Sequence, residues 1–190
     1  MSDMTNAPRT RLILPFLGPF YRGFAQPVGW LAFRITIGGL LMVEGWPKIT
    51  APFAMAGFVE SIGFTPGWLF SPLLALLNFV GGAMIMLGLL TRPVALGNAV
   101  MLAVTLWFHM TRPYDPEPLL TPEGIEFLKT NLQYLTANGQ ARLTDGGIAF
   151  LHQVQGKAVF NSVFWTAGAA LIAAFGGGRL SLDHMRGKEF

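Results

Sequence analysis

Cysteine is absent from these 190 residues, and only 12% of them are charged. The first absence removes disulfides, thiol redox chemistry and cysteine-ligated metal sites. The second is too severe for a water-facing surface, because soluble domains carry about 25% charged residues. No lysine-arginine run occurs, and a formal charge of +3 is small for a nucleic-acid binder. The alternating pattern of a membrane barrel is missing as well, as is any internal repeat or broken-helix pair of the transporter type.

What remains is lipid-compatible. Hydrophobic residues make up 52% of the chain. A bilayer core of ~30 Å needs about 20 mostly apolar residues as helix, and residues 30–49, 69–90, 93–110 and 158–175 qualify. Inside lipid the backbone must satisfy itself, so these are helices. The expected fold is all-α: an integral membrane four-helix bundle forming one domain over residues 1–190. Thr91-Arg92 alone links the second and third spans, which forces an antiparallel hairpin, with Pro93 in a first turn.

Outside the spans, Arg9 and Arg11 followed by LILPFLGPF resemble a secretory leader, yet Pro15, Gly18 and Pro19 break the apolar stretch. The better expectation is an interfacial segment with Phe16, Phe20, Tyr21 and Phe24 dipping into lipid. Residues 50–68, rich in proline, glycine and phenylalanine, are expected against the membrane surface. The loop 111–157 holds TPEGIEFLKTNLQYLTANG, which predicts one amphipathic helix. Thr121 would cap it, Asn138-Gly139 would stop it, and Ile125, Leu128, Leu132 and Leu135 form its stripe. Residues 147–157 are an open case: loop, or outward extension of the fourth helix. The triplet 176–178 reads as a helix stop rather than a phosphate cradle.

Arg9, Arg11, Arg22, Arg92, Arg179, Arg186 and Lys188 fall on one side, which predicts both termini in the cytoplasm. Trp30 is expected at the inner interface and Trp46, Trp68 and Trp107 at the outer one. Helices in lipid associate through small residues. Gly38 and Gly45 in the first span, and Gly81 and Gly88 in the second, each lie seven apart, as a bundle seam requires.

Ionisable and polar residues inside spans point to function by default. At 1.5 Å per residue, Glu44, Lys48, His109 and Asn161 fall near the outer rim and could form one cluster, with Trp46 beside them and Asn78 nearer the midplane. Arg34 and Asn98 share a depth at the inner end and are expected to pair. Glu44 precedes Lys48 by four, the favourable order for a pair on one helical face. Pro47 should kink or end that helix. Two readings of the cluster stand: an ion pair facing headgroups, or a site for a quinone headgroup, a proton or a lipid phosphate. The three histidines do not pair at matched depth, which argues against a bis-histidine haem. No nucleophile–base pair, phosphate loop or metal-ligand spacing stands out, so the expected ligands reduce to a quinone or a bound phospholipid.

Three stretches carry a family resemblance. LAFRITIGGLLMVEGWPKI resembles the first span of the DoxX family through Arg34, Gly38, Gly45 and Lys48. NFVGGAMIMLGLLTRPVAL is similar to its second-span ending through Gly81-Gly82, Gly88, Leu89, Thr91 and Arg92. The tail GGGRLSLD is similar to its Ser-x-Asp ending through Gly178, Ser181 and Asp183. Asn78 departs from the carboxylate many members carry there, and residues 111–157 form a longer loop than many relatives have. The resemblance implies four spans in a bacterial or archaeal inner membrane, with some relatives serving as small subunits of quinone-linked oxidoreductases.

Three functions follow as expectations. The first is a non-catalytic accessory subunit, held by lipid and by other subunits of a respiratory or photosynthetic electron-transfer complex. The second is a quinol-binding oxidoreductase subunit that handles protons through Glu44, Lys48 and His109. The third is a small solute or lipid transporter.

Overall fold

The computed structural model describes residues 13–112 and 118–188. Arg9 and Arg11 of the basic N-terminus, and Asp115 and Glu117 of the long loop, lie outside the described residues. Four helices are long and apolar enough to cross a membrane. They are α2 (Gln26–Thr50), α4 (Gly67–Leu87), α5 (Thr91–Thr111) and α8 (Ile148–Phe175). Shorter helices α1 (Gly18–Phe20), α3 (Ala56–Ser61), α6 (Pro122–Thr130), α7 (Ala137–Leu143) and α9 (Leu182–Met185) decorate the ends. The fold is an integral membrane four-helix bundle, without strands among the described residues.

Chain order sets the packing. α2 lies mainly against α4, and α5 mainly against α8; the α4–α5 hairpin joins the two pairs. The buried apolar cluster is limited to Ile37, Leu41, Ile85, Ala95, Ala99, Leu102, Ala169 and Ile172, with Val59 and Ala75 buried outside it. Many other apolar side chains, such as Val43, Leu76, Leu96, Val100, Phe160 and Phe164, point outward. That apolar exterior suits a lipid surround, where close backbone contact replaces the hydrophobic drive.

The glycines make this contact, in a register that differs from the expected one. A β-carbon at Gly38 would lie 2.5 Å from the Gly82 carbonyl oxygen, and one at Gly82 would lie 2.6 Å from the Gly38 oxygen. Gly45 is equally tight, 2.6 Å from the Phe79 amide nitrogen. The α4 seam toward α2 is thus Gly82 with the backbone at 78–79. Gly81 instead faces Asn98 and Val94 of α5. Gly88 lies beyond α4 as its C-cap at φ 70°, a conformation glycine adopts without a β-carbon clash.

Helix bounds differ in three places. Helical backbone runs unbroken from Pro15 to Thr50 through a 3-10 turn, α1 and a π turn at Tyr21–Ala25, so the N-terminal segment continues α2 rather than standing apart. At 1.5 Å per residue those 36 residues reach about 54 Å. This exceeds the ~30 Å core, and the surplus end bears exposed Phe16, Phe20, Tyr21 and Phe24. α2 also passes through Pro47 without ending; three residues on, the Thr50 hydroxyl donates to the carbonyls of Trp46 and Pro47 at 3.1 and 3.0 Å.

The expected surface helix is split. Thr121 caps α6 by accepting from the Gly124 amide at 3.2 Å, as expected. The helix stops at Asn131, whose side-chain amide donates to the Phe127 carbonyl at 2.9 Å. A 3-10 turn, Leu132–Tyr134, follows. Thr136 then caps α7 from the Gly139 amide at 3.2 Å, so Asn138-Gly139 opens a helix instead of closing one. α8 starts at Ile148, because Asp145 accepts from the amides of Gly147 and Ala149, both at 2.9 Å. Those amides hold its carboxyl below the usual carboxylate range.

Candidate functional site

Two polar assemblies lie at opposite ends of the bundle. Near the end that carries α6 and α7, the Lys48 amine donates to the Asn78 side-chain oxygen at 2.7 Å. The Asn78 amide in turn donates to the Met101 sulfur at 3.1 Å. This chain links α2, α4 and α5 through the interior, and Asn78 is buried. A short residue at position 45 makes it possible, since α2 must approach the α4 backbone beside Asn78.

Of the other expected members, Glu44 stays within electrostatic reach of Lys48 without a direct ion pair, and the rest make no hydrogen bond to it. Glu44 is exposed on the outer face of α2, and the one ion pair among the described residues joins Glu126 and Lys129. Trp46 is exposed too, with its ring 5.7 Å from that of Phe79. Asn161 faces outward on α8, while its neighbour Ser162 is the buried residue. His109 is half-buried with its ring edge-on to Phe108, and its backbone carbonyl accepts from the Gln155 side chain. The helix turns by about 100° per residue, so equal depth does not ensure a shared face.

At the other end lies the tighter assembly, here called the basic end. Arg34 is fully buried. Its guanidinium donates to the carbonyls of Ile85, at 3.2 Å, and Met86, at 3.5 Å, and also to that of Leu180. Those first two carbonyls belong to the last turn of α4, where regular i to i+4 donors run out; Ile85 also accepts from the Gly88 amide at 3.2 Å. Arg34 therefore joins α2, the α4 C-terminus and the tail. It does not pair with Asn98: the Asn98 amide donates to the Val94 carbonyl at 3.0 Å within its own helix.

Asp183 completes this end. One carboxylate oxygen accepts from the Leu90 amide at 2.9 Å. The other accepts from the Thr91 amide at 2.9 Å and the Thr91 hydroxyl at 2.7 Å. The first residues of α5 hold no side-chain cap of their own, and Leu90 sits at φ 46°. A carboxylate from 92 positions downstream thus fills the N-terminal donors, where the helix dipole favours negative charge. Burial alone would raise the Asp183 carboxyl. The hydroxyl and amide bonds from Thr91, the Leu90 amide and Arg186 outweigh it, and the group is held below the usual range.

Around this clamp, the Trp30 indole donates to the Gly176 carbonyl at 2.9 Å and the Ser181 hydroxyl to the Gly178 carbonyl at 2.7 Å. The capping role of Asp183 was not among the expected site roles. One signal for it exists: a buried α5 start written Leu-Leu-Thr, with no residue ahead of it able to cap.

Comparison with known proteins agrees with this layout. Residues 29–110 match the model of the DoxX family, which covers α2, α4 and α5 but not α8 or the tail. The chain is 39% identical over 85 residues to the inner membrane protein YqjF of Escherichia coli (strain K12). That alignment covers 44% of this chain and 64% of YqjF, so the likeness falls short of the relative's full length. No solved structure matches the chain. The matched region holds Arg34, Gly38, Gly45, Lys48, Asn78 and Gly82, the residues that build both assemblies on the α2–α4 side, so the similarity to the DoxX family falls on the part of the chain that carries them.

Proposed function

We propose that this chain is a non-catalytic accessory subunit of the bacterial inner membrane, docked through the outer face of α2 on a quinone-linked electron-transfer complex. The observation that carries the docking is Glu44. Its carboxylate sits six residues inside the end of α2, exposed among Leu40, Val43 and Trp46. A charge on a lipid-facing helix is costly even near the rim, where snorkelling relieves part of the cost. A neighbouring subunit offering a cation or hydrogen-bond donor would remove that cost on contact.

Two features support the same reading. The polar chain at Lys48 is closed by Asn78, so it serves to hold helices together. The α6–α7 cap presents exposed Phe127, Leu132 and Tyr134, a second surface on the same side of the bilayer as Glu44. The quinone link rests on the family resemblance.

Purification in mild detergent, followed by mass spectrometry of co-purifying proteins, tests the reading. Membrane subunits of an electron-transfer complex should accompany the wild-type chain and be depleted with Glu44→Leu, while the variant folds normally. A chain that purifies alone in both forms rejects docking. Companions from another class of complex reject the electron-transfer assignment and leave docking standing.

A further inference from the structure

The basic end contains a pocket of about 180 Å³ whose walls include Arg92, Phe175, Arg179, Asp183, His184 and Lys188, with the 176–178 backbone as its floor. Three of these side chains are cationic at neutral pH and one is anionic. The anion is directed elsewhere: both Asp183 oxygens accept from the start of α5. Two of the floor's three carbonyls are engaged as well. The Gly176 carbonyl accepts from Trp30 and the Gly178 carbonyl from Ser181. One Arg179 nitrogen donates to the Arg22 carbonyl at 3.3 Å, so what the pocket offers an incoming molecule is mainly positive charge and the remaining donors of Arg92 and Arg179.

We propose that this pocket binds a phosphate-bearing anion, of the kind carried by an anionic phospholipid headgroup or free in solution as inorganic phosphate. Its volume suits such a group. Guanidinium groups match phosphate oxygens in fork geometry, and two arginines from different segments, Arg92 on α5 and Arg179 in the tail, line it. Its placement links it to the membrane. Phe175 forms part of the wall and is 67% exposed on the lipid-facing side of α8. A lipid with its phosphate in the pocket would run its acyl chains along Phe175. Leu180, 46% exposed just past Arg179, extends that apolar margin.

Binding here would have a structural consequence. The walls come from the first turn of α5, the end of α8 and the tail, and residues 111–190 lie beyond the family-matched region. An anion bridging Arg92 and Arg179 would fasten the α8 end and tail to the α4–α5 hairpin, adding to the Asp183 cap. Basic residues near a membrane surface each contribute about 1 kcal/mol toward anionic lipid.

The test uses the full chain in a neutral detergent, with native mass spectrometry and thermal unfolding as readouts. Phosphatidylglycerol, phosphatidylcholine and inorganic phosphate are added in separate arms. The expected result is a retained phosphatidylglycerol adduct and a raised unfolding temperature, with little effect of phosphatidylcholine. Affinity should fall about thirtyfold in R92Q/R179Q, the product of two basic contacts, and recover largely in R92K/R179K. Equal protection by inorganic phosphate would assign the site to a soluble anion instead. K129Q/R142Q, at the opposite end, should bind as the wild type does. Undiminished binding by R92Q/R179Q, an equal loss in K129Q/R142Q, or no adduct in any arm overturns the proposal.

Discussion

Lys48 and Asn78 meet across the α2–α4 interface at 2.7 Å, an ammonium held by a buried amide oxygen. The favourable i, i+4 spacing to Glu44 does not decide where the lysine goes. Its flexible stem carries the charge inward, past Gly45, and leaves Glu44 on the outer face. Asn78→Leu would take away the amine's partner, at a cost of about 1–3 kcal/mol. Asn78→Asp would keep an acceptor at the same place and should retain the wild-type fold. Thermal unfolding of both variants in one detergent checks this. Equal loss in the two would mean that packing volume, not the hydrogen bond, matters at this position.

Gly38 and Gly82 face each other through backbone atoms, so neither can accept a β-carbon without separating α2 from α4. G38A and G82A should each destabilise the bundle by about 1–3 kcal/mol, as overpacked interiors do. Because both relieve the strain by the same movement, the double variant should lose less than the sum of the singles. Gly39, whose added β-carbon would meet only the Met86 sulfur at 3.8 Å, is the neutral control. Additive losses would show that the two glycines do not share one contact.

These two pairs show what the amino-acid order made legible. Span positions and depths followed from hydropathy, because lipid thickness fixes both. Azimuth did not. Gly81 and Gly82 both fit a seam, and only the facing helix decides between them; likewise Asn161 and Ser162 lie about 100° apart on α8, and one is exposed while the other is buried. Arg34 was legible as a buried cation, but its partners were backbone carbonyls, which leave no mark in a sequence. The tail motif was visible through Ser181 and Asp183, yet its task depends on a chain reversal that brings residue 183 to residue 91.

That reversal carries a pH dependence. The folded-state carboxyl of Asp183 lies below its ordinary value of 3.8. The folded protein therefore binds this proton less readily than the unfolded chain. The stabilisation is fully present above 3.8 and is lost as pH falls from there through the depressed folded value. Other carboxylates titrate in the same range, so the readout is the difference between wild type and Asp183→Asn from neutral pH to about pH 3. The gap in unfolding temperature should be widest at neutral pH and close on acidification. A gap that stays constant would exclude the carboxylate charge as the source of the effect.

Arg34 gives the sharpest test of how the basic end is held. Its guanidinium spans the last α4 carbonyls, Ile85 and Met86, and the tail carbonyl of Leu180. A lysine has one nitrogen where arginine has three, so Arg34→Lys can serve one of these directions but not both. Arg34→Met fills much of the volume and serves neither, taking a donor from the Met86 and Leu180 carbonyls at about 1–3 kcal/mol each, while Ile85 keeps the Gly88 amide. The expected order of stability is wild type, then lysine, then methionine. Amide exchange locates the loss: protection should fall at residues 88–91 and in α9, while the α5–α8 contact is spared. If exchange instead rises evenly across all four spans, Arg34 acts on the whole bundle and the clamp at its end is not a separate unit.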